Sequence, residues 1–254
     1  MKKLLSVLCA ILLLSLLGSS VTYAQEETKG QLWFCWEATV DPAQEDQFME
    51  LQIEFRTHFK EAGFPYPISA WTDGMFHYYI FYPVKSYDEK DEIYAALWKA
   101  ADLCGMDRMN KMWETVETHN TFYIRHLPEI SYTPENPRLK EGEATFAVWD
   151  MMFVDPAKEM EFRQLVKKFT GMMKSAGFGD YLNFLIGDVG YEATAYLATL
   201  YGTSPADMWT ENEKLWEMLG EEGQKLSREV LSLLKKREFK QFWYVKSLSY
   251  TPEE

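Results

Sequence analysis

Residues Val40–Phe64 read VDPAQEDQFMELQIEFRTHFKEAGF, and Val154–Phe178 read VDPAKEMEFRQLVKKFTGMMKSAGF. The stretches start 114 residues apart (154 − 40), and about half of their aligned positions are identical. Glu45, Phe48, Leu51, Phe55 and Lys60 meet Glu159, Phe162, Leu165, Phe169 and Lys174. Such density marks an internal repeat. Further on, Ser131–Glu135 (SYTPE) returns as Ser249–Glu253, now at an offset of 118 (249 − 131). A short insertion therefore separates the two anchors. The chain divides into a first copy at 31–135, a polar linker at 136–142 and a second copy at 143–253.

Each copy carries the same order of elements. Leu32–Ala38 is aromatic-rich and reads as a strand. Asp41 is an N-cap with Pro42 at the first helical position, where a missing N–H costs nothing. Phe48, Leu51 and Phe55 then mark one helix face, and Gly63 stops the helix. Ile68–Thr72 and Phe76–Val84 read as strands joined around Asp73-Gly74, a hairpin signal. A long helical region begins at Asp88, breaks at Gly105 and continues through Met109, Trp113 and Val116. Phe122–Leu127 is the last strand. The second copy repeats this with strands Phe146–Met152, Tyr181–Ile186, Glu192–Leu200 and Phe242–Lys246, and with helices from Asp155 and from Ser204-Pro205.

The order βαββαβ is that of a ferredoxin-like unit. Its helices cover one sheet face and leave the other bare, and two units bury their bare faces by packing sheet to sheet. The fold expected is α+β: two tandem βαββαβ repeats paired within one chain. In this the sequence resembles the dimeric α/β-barrel superfamily, which includes antibiotic-biosynthesis-type monooxygenases, NIPSNAP-like, EthD-like and haem-binding chlorite dismutase-like proteins. The resemblance spans nearly the whole chain after its N-terminal segment. It rests on element order and repetition, so it implies a fold and leaves the activity to the site.

The 254 residues are 47% hydrophobic and 26% charged, a globular composition. Lys2 and Lys3, the apolar run Leu4–Leu17 and the small residues before Gln25 read as a signal peptide at 1–24. Cleavage there would take the formal charge from −13 to −15, since two bases leave with the segment. A protein this acidic is a poor partner for nucleic acid, which needs a basic footprint, and for anionic lipid. An exported protein, periplasmic or extracellular, is expected. It should be off the membrane after cleavage, and monomeric because the duplication supplies its own partner sheet.

Motifs for phosphate binding, zinc hydrolysis and serine nucleophiles are missing, and no metal site or cofactor is indicated. Cys35 and Cys104 fall on opposite sides of the first sheet by strand parity, which argues against a disulfide. All four histidines, His58, His77, His119 and His126, lie in the first copy. Three have ordinary readings: His58 and His119 as helix ends, His126 as a solvent-facing strand end matched to Lys246. Matching Asp73 with Asp188 pairs His77 with Glu192, Tyr79 with Thr194 and Phe81 with Tyr196. On that register Glu37, His77, Tyr79, Glu192 and Tyr196 face the space between the sheets and form the candidate ligand-binding set. A slip of one residue would invert these assignments. The other reading of His77 is a core imidazole satisfied by a tyrosine hydroxyl.

Aromatic residues make up 16% of the chain. They can fill a solid inter-sheet core or line a cavity for a flat apolar molecule. The leading expectation is an exported protein that binds a small hydrophobic or aromatic molecule between its sheets. The alternatives are a cofactor-independent monooxygenase-like enzyme, with His77 or Glu37 as proton acceptor, and a structural or partner-binding protein. Resemblance to the chlorite dismutase-like group would further imply haem, for which His77 is the inner-face histidine.

Overall fold

The computed structural model describes residues 30–252 other than 141 and 193. The signal peptide expected at 1–24 and Glu253, the last residue of the expected second copy, lie outside them. The first half runs β1 (Leu32–Val40), a 3-10 turn (Pro42–Gln44), α1 (Glu45–Thr57), α2 (Phe59–Ala62), β2 (Ser69–Thr72), β3 (His77–Val84), α3 (Glu89–Cys104), α4 (Met106–Glu114) and β4 (Val116–His126). The second half runs β5 (Phe146–Val154), a 3-10 turn (Pro156–Lys158), α5 (Glu159–Ala176), β6 (Asn183–Gly187), β7 (Ala195–Gly202), α6 (Pro205–Leu231) and β8 (Leu234–Tyr244). None of these helices is long and apolar enough to cross a membrane.

The eight strands close into one antiparallel barrel in the order β1-β3-β2-β8-β5-β7-β6-β4. Two seams join the halves. At one, Trp71 and Thr72 of β2 pair with Tyr244 and Trp243 of β8. At the other, Ile124, Arg125 and His126 of β4 pair with Gly187, Ile186 and Leu185 of β6. Isolated bridges extend both seams, Ile68 to Tyr250 and Tyr132 to Leu182. Closure leaves no apolar sheet face bare.

Local sequence explains the elements. Asp41 and Asp155 each accept from the backbone N–H two residues on, Ala43 and Ala157, at 2.9 and 3.1 Å. Gly63 and Gly177 end α1–α2 and α5 in left-handed backbone. Leu32, Phe34 and Trp36 of β1 turn toward the helices with Phe48, Phe55 and Ile93, while the second helix layer packs Met152, Phe162, Val166 and Tyr196. The opposite faces of the strands make a third cluster inside the barrel, including Cys35, Tyr79, Phe122, Trp149, Leu197 and Phe242. Cys35 and Cys104 are free thiols on opposite sides of the sheet.

Pairing registers locate the insertion. Trp36 faces Ile80 across β1 and β3, and Asp150, 114 residues on, faces Ala198 across β5 and β7. Ala70 faces Ile80 and Phe184 faces Ala198. The offset is therefore 114 at β6 (184 − 70) and 118 from β7 onward (198 − 80), and the insertion lies in the β6–β7 hairpin. Matching Asp73 to Asp188 at 115 therefore leaves β7 three residues out of register (118 − 115), an odd slip that exchanges its two faces. The partners of His77, Tyr79 and Phe81 are Ala195, Leu197 and Thr199. Glu192 is exposed in the hairpin before β7, and Tyr196 is the counterpart of Tyr78 on the helix-facing side. Tyr78 donates to Glu45 at 2.7 Å and packs on Phe48 at 4.8 Å. Tyr196 donates to Glu159 at 2.5 Å and packs on Phe162 at 4.7 Å. Each half thus tethers its first helix to its sheet with the same tyrosine.

The last strands of both halves are longer than their sequence signal. β4 begins at Val116 and β8 at Leu234, in stretches expected to be helical or irregular. Residues 117–120 and 235–239 are exposed on both faces and carry no apolar alternation. His119 consequently lies in a strand, beside Trp113 at 5.5 Å, and does not end a helix.

Candidate functional site

The lumen of the barrel is not filled. At the end where β1 begins it holds a cavity of about 610 Å³, with lining residues from all eight strands. Its floor is aromatic: Trp149 meets Phe242 at 4.7 Å and Phe81 at 5.8 Å. Phe242 also meets Tyr79 at 5.1 Å, so Tyr79 stands behind the floor and does not line the cavity.

The wall has two unlike arcs. Neighbouring strands β3, β2 and β8 contribute Phe81, Trp71, Phe242 and Tyr244. Neighbouring strands β4, β6 and β7 contribute His126, Asn183, Thr199 and Tyr201. Asn183 Nδ2 donates to the Tyr201 hydroxyl at 3.4 Å, a long bond. Burial raises the Tyr201 pKa and keeps the phenol protonated. Among the described residues no Lys or Arg borders this space.

His126 is the chemical feature of the polar arc. Its Nε2 is buried without a hydrogen-bond partner among the described residues. Burial lowers its pKa, with the Glu129 charge opposing, so the neutral imidazole is the favoured form. The main chain anchors it: His126 N–H donates to the Gln31 carbonyl at 2.9 Å, and the residue pairs with Leu185 across the seam. A neutral imidazole can accept a hydrogen bond or a proton from a molecule in the cavity, or donate from its other tautomer. The reading of His126 as a solvent-facing strand end is overturned. At offset 118 its partner is Tyr244, which lines the same cavity from the other seam (244 − 126).

The five residues expected at the site are dispersed. Glu37 and Tyr79 do face the lumen, on the far side of the aromatic floor from the cavity. There Lys240 Nζ donates to the Tyr79 hydroxyl at 2.6 Å and lies 3.6 Å from a Glu37 oxygen. Burial, and then the Glu37 charge, hold the Tyr79 phenol protonated. His77 sits at the hairpin, where its Nδ1 meets Asp73 Oδ2 at 2.7 Å, so its partner is a carboxylate of its own turn. Glu192 is exposed outside the barrel. Tyr196 is under α5, bonded to Glu159 and to Arg163 Nε at 2.7 Å.

The residues that do line the cavity were partly within reach of pattern reading. Trp33 shares the parity of Cys35 and Glu37, and so falls inside. Trp71, Trp149 and His126 follow only from the true register of their strands.

Haem does not match this lining. Among the described residues its two propionates would meet no cation at the cavity, and His77 is held by Asp73 at a distance from it.

No family model matches the chain, and no characterised protein matches it by sequence. Solved structures share its fold. An anthrone oxidase-like protein aligns with a TM-score of 0.55 and 13% identity over 85% of this chain and 92% of that one. A provisionally assigned monooxygenase from Lactobacillus acidophilus gives 0.54 and 8% over 85% and 94%. A mutant chlorite dismutase from Candidatus Nitrospira defluvii, in complex with cyanide, gives 0.54 and 7% over 85% and 91%. The chain therefore has the dimeric α/β-barrel fold, built within one polypeptide.

Proposed function

We propose that this protein binds a small, flat, largely aromatic molecule in the barrel cavity, with one hydrogen-bonding edge turned to β4, β6 and β7. The observation that carries the reading is the buried, unpartnered Nε2 of His126 in the wall of an aromatic cavity of about 610 Å³. A buried polar atom without a partner is costly, and a ligand donor offsets that cost. The volume lies in the range of small-molecule sites. In this reading the chain is a duplicated ferredoxin-like unit, exported after loss of residues 1–24, and monomeric.

The test is native mass spectrometry of the protein from its own host, followed by extraction and identification of any bound mass. A copurifying aromatic molecule, lost in His126→Phe with the fold retained, supports the reading. Protein free of any ligand, with no affinity for a panel of polycyclic phenols, would end it.

A second reading is a cofactor-independent monooxygenase-like enzyme, favoured by the neutral imidazole and by the monooxygenase and oxidase-like structures sharing the fold. In it His126 takes a proton from an acidic O–H or C–H of the bound molecule. Oxygen uptake with a phenolic substrate, lost in His126→Phe, separates it from simple binding.

A further inference from the structure

A second cavity lies outside the barrel, in the helix layer of the first half. It measures about 150 Å³ and sits between the outer face of β1 and β3 and helices α1, α3 and α4. Phe34, Trp36 and Ile80 form part of its base, with Met109 and Met112 beside them. Trp98 and Trp113, 56% and 43% exposed, stand at its rim. An apolar cavity of this size accepts a benzene ring.

Two polar groups of α1 enter this apolar space. Gln52 is 4% exposed. Its Nε2 donates to the Met112 sulfur at 3.0 Å, a weak acceptor, and its Oε1 is buried with no partner among the described residues. Arg56 follows one helical turn later, on the same face. Its Nε donates to the Leu248 carbonyl at 3.1 Å, and its guanidinium lies over Phe59 at 4.8 Å. Among the described residues no carboxylate pairs with it. Burial lowers its pKa, the cost of a cation held without a counter-charge.

The fold does not require these groups. At offset 114 the second half carries Val166 and Thr170, both buried in its helix layer (166 − 52, 170 − 56). An apolar or small side chain serves there, so Gln52 and Arg56 answer to something other than packing.

We propose that this cavity is a second small-molecule site, taking a single-ring aromatic carboxylate that also carries a hydroxyl or amino donor. The ring occupies the space among Trp36, Ile80 and Met112, the carboxylate pairs with Arg56 at the mouth, and the donor reaches Gln52 Oε1. Spacing of one helical turn between Gln52 and Arg56 suits two polar groups on opposite ends of one ring.

The test uses 4-hydroxybenzoate and benzoate with the full chain labelled at methionine methyl carbons. Met109 and Met112 border this cavity, whereas among the described residues no methionine borders the barrel cavity, so the methyl signals report which site is filled. Shifts confined to these two methyls are expected, with 4-hydroxybenzoate about tenfold tighter than benzoate. Gln52→Leu should abolish that preference and keep benzoate binding, and Arg56→Leu should weaken both acids about tenfold or more. Arg56→Lys, which keeps the charge, checks that loss in the leucine variant is not loss of fold. Unmoved Met109 and Met112 methyls at millimolar acid, equal affinity for the two acids, or a crystal soak showing ordered water only would each overturn the proposal.

Discussion

Lys240 and Tyr79 are 161 residues apart and come from different halves, yet Nζ donates to the phenol oxygen at 2.6 Å inside the barrel. Glu37 completes the group from β1, at 3.6 Å from the same ammonium. Lys240 stands where the first half has Phe122 (240 − 122 is 118), so one half supplies a cation and the other the groups that receive it. Tyr79 is 1% exposed and its hydroxyl stays protonated, accepting from Lys240 and serving Glu37. This cluster closes the lumen below the aromatic floor.

Removing the cation leaves a carboxylate and a phenol facing a low-dielectric interior. Lys240→Met is expected to lower stability by about 1–3 kcal/mol, the range for leaving a buried hydrogen-bond partner unsatisfied. Glu37→Gln in the same background should recover part of that loss, because it removes the uncompensated charge. Urea denaturation of both single variants and the double variant measures the coupling. Strict additivity would mean the three groups do not act together.

The imidazole in the cavity wall makes a pH prediction. Its folded pKa lies below the ordinary 6.5, chiefly through burial. Above about pH 6.5 both folded and unfolded chains hold it neutral. As pH falls through that value the unfolded chain takes up the proton first, so stability is lost toward acid. The loss levels off once pH passes below the folded pKa. The wild type should therefore lose more stability than His126→Phe on acidification below about pH 6.5, measured as denaturation midpoints of the two proteins. Parallel pH profiles would show that the ring is not desolvated.

Tyr196 shows where the sequence stopped being readable. The helix-facing set Leu32, Phe34 and Trp36 was legible because β1 alternates cleanly, and Trp33, Cys35 and Glu37 followed onto the inner face. β7 offers no such guide: it is buried on both faces from Ala195 to Thr199, so alternation gives no parity. Its register had to come from the hairpin, and matching Asp73 to Asp188 there left β7 three residues out of register (118 − 115), an odd slip that moves every side chain to the other face. The cavity itself was beyond reach, since empty volume depends on how Trp33, Trp71 and Trp149 pack and not on their presence.

A prediction separates the two tyrosine roles. Tyr196→Phe should cost about 1–2 kcal/mol through loss of the bonds to Glu159 and Arg163, and leave ligand affinity unchanged. Tyr201→Phe, in the polar arc of the cavity, should weaken binding of any ligand found there and cost less stability. Thermal melts and titrations on the same samples would distinguish them. A binding defect in Tyr196→Phe would return that residue to the site.

The barrel predicts the fate of half a chain. β2 and β4 of the first half have no outer partners except β8 and β6 of the second. The inner cluster draws Cys35, Tyr79, Phe81, Phe122 and Ile124 from one half and Ala147, Trp149, Leu185, Leu197 and Phe242 from the other. A polypeptide of residues 25–135 would expose its share of that cluster at a cost near 25 cal/mol per Å², together with two unpaired sheet edges. It should therefore aggregate or form a dimer that rebuilds both seams, β2 against β4 of a second copy. Analytical ultracentrifugation of the fragment gives the result directly. In such a dimer Trp71 would face His126 of the second copy, as it faces Tyr244 here, because His126 and Tyr244 occupy equivalent seam positions. A fragment that stays monomeric with a cooperative melt would show that neither the shared core nor the seams hold the halves together.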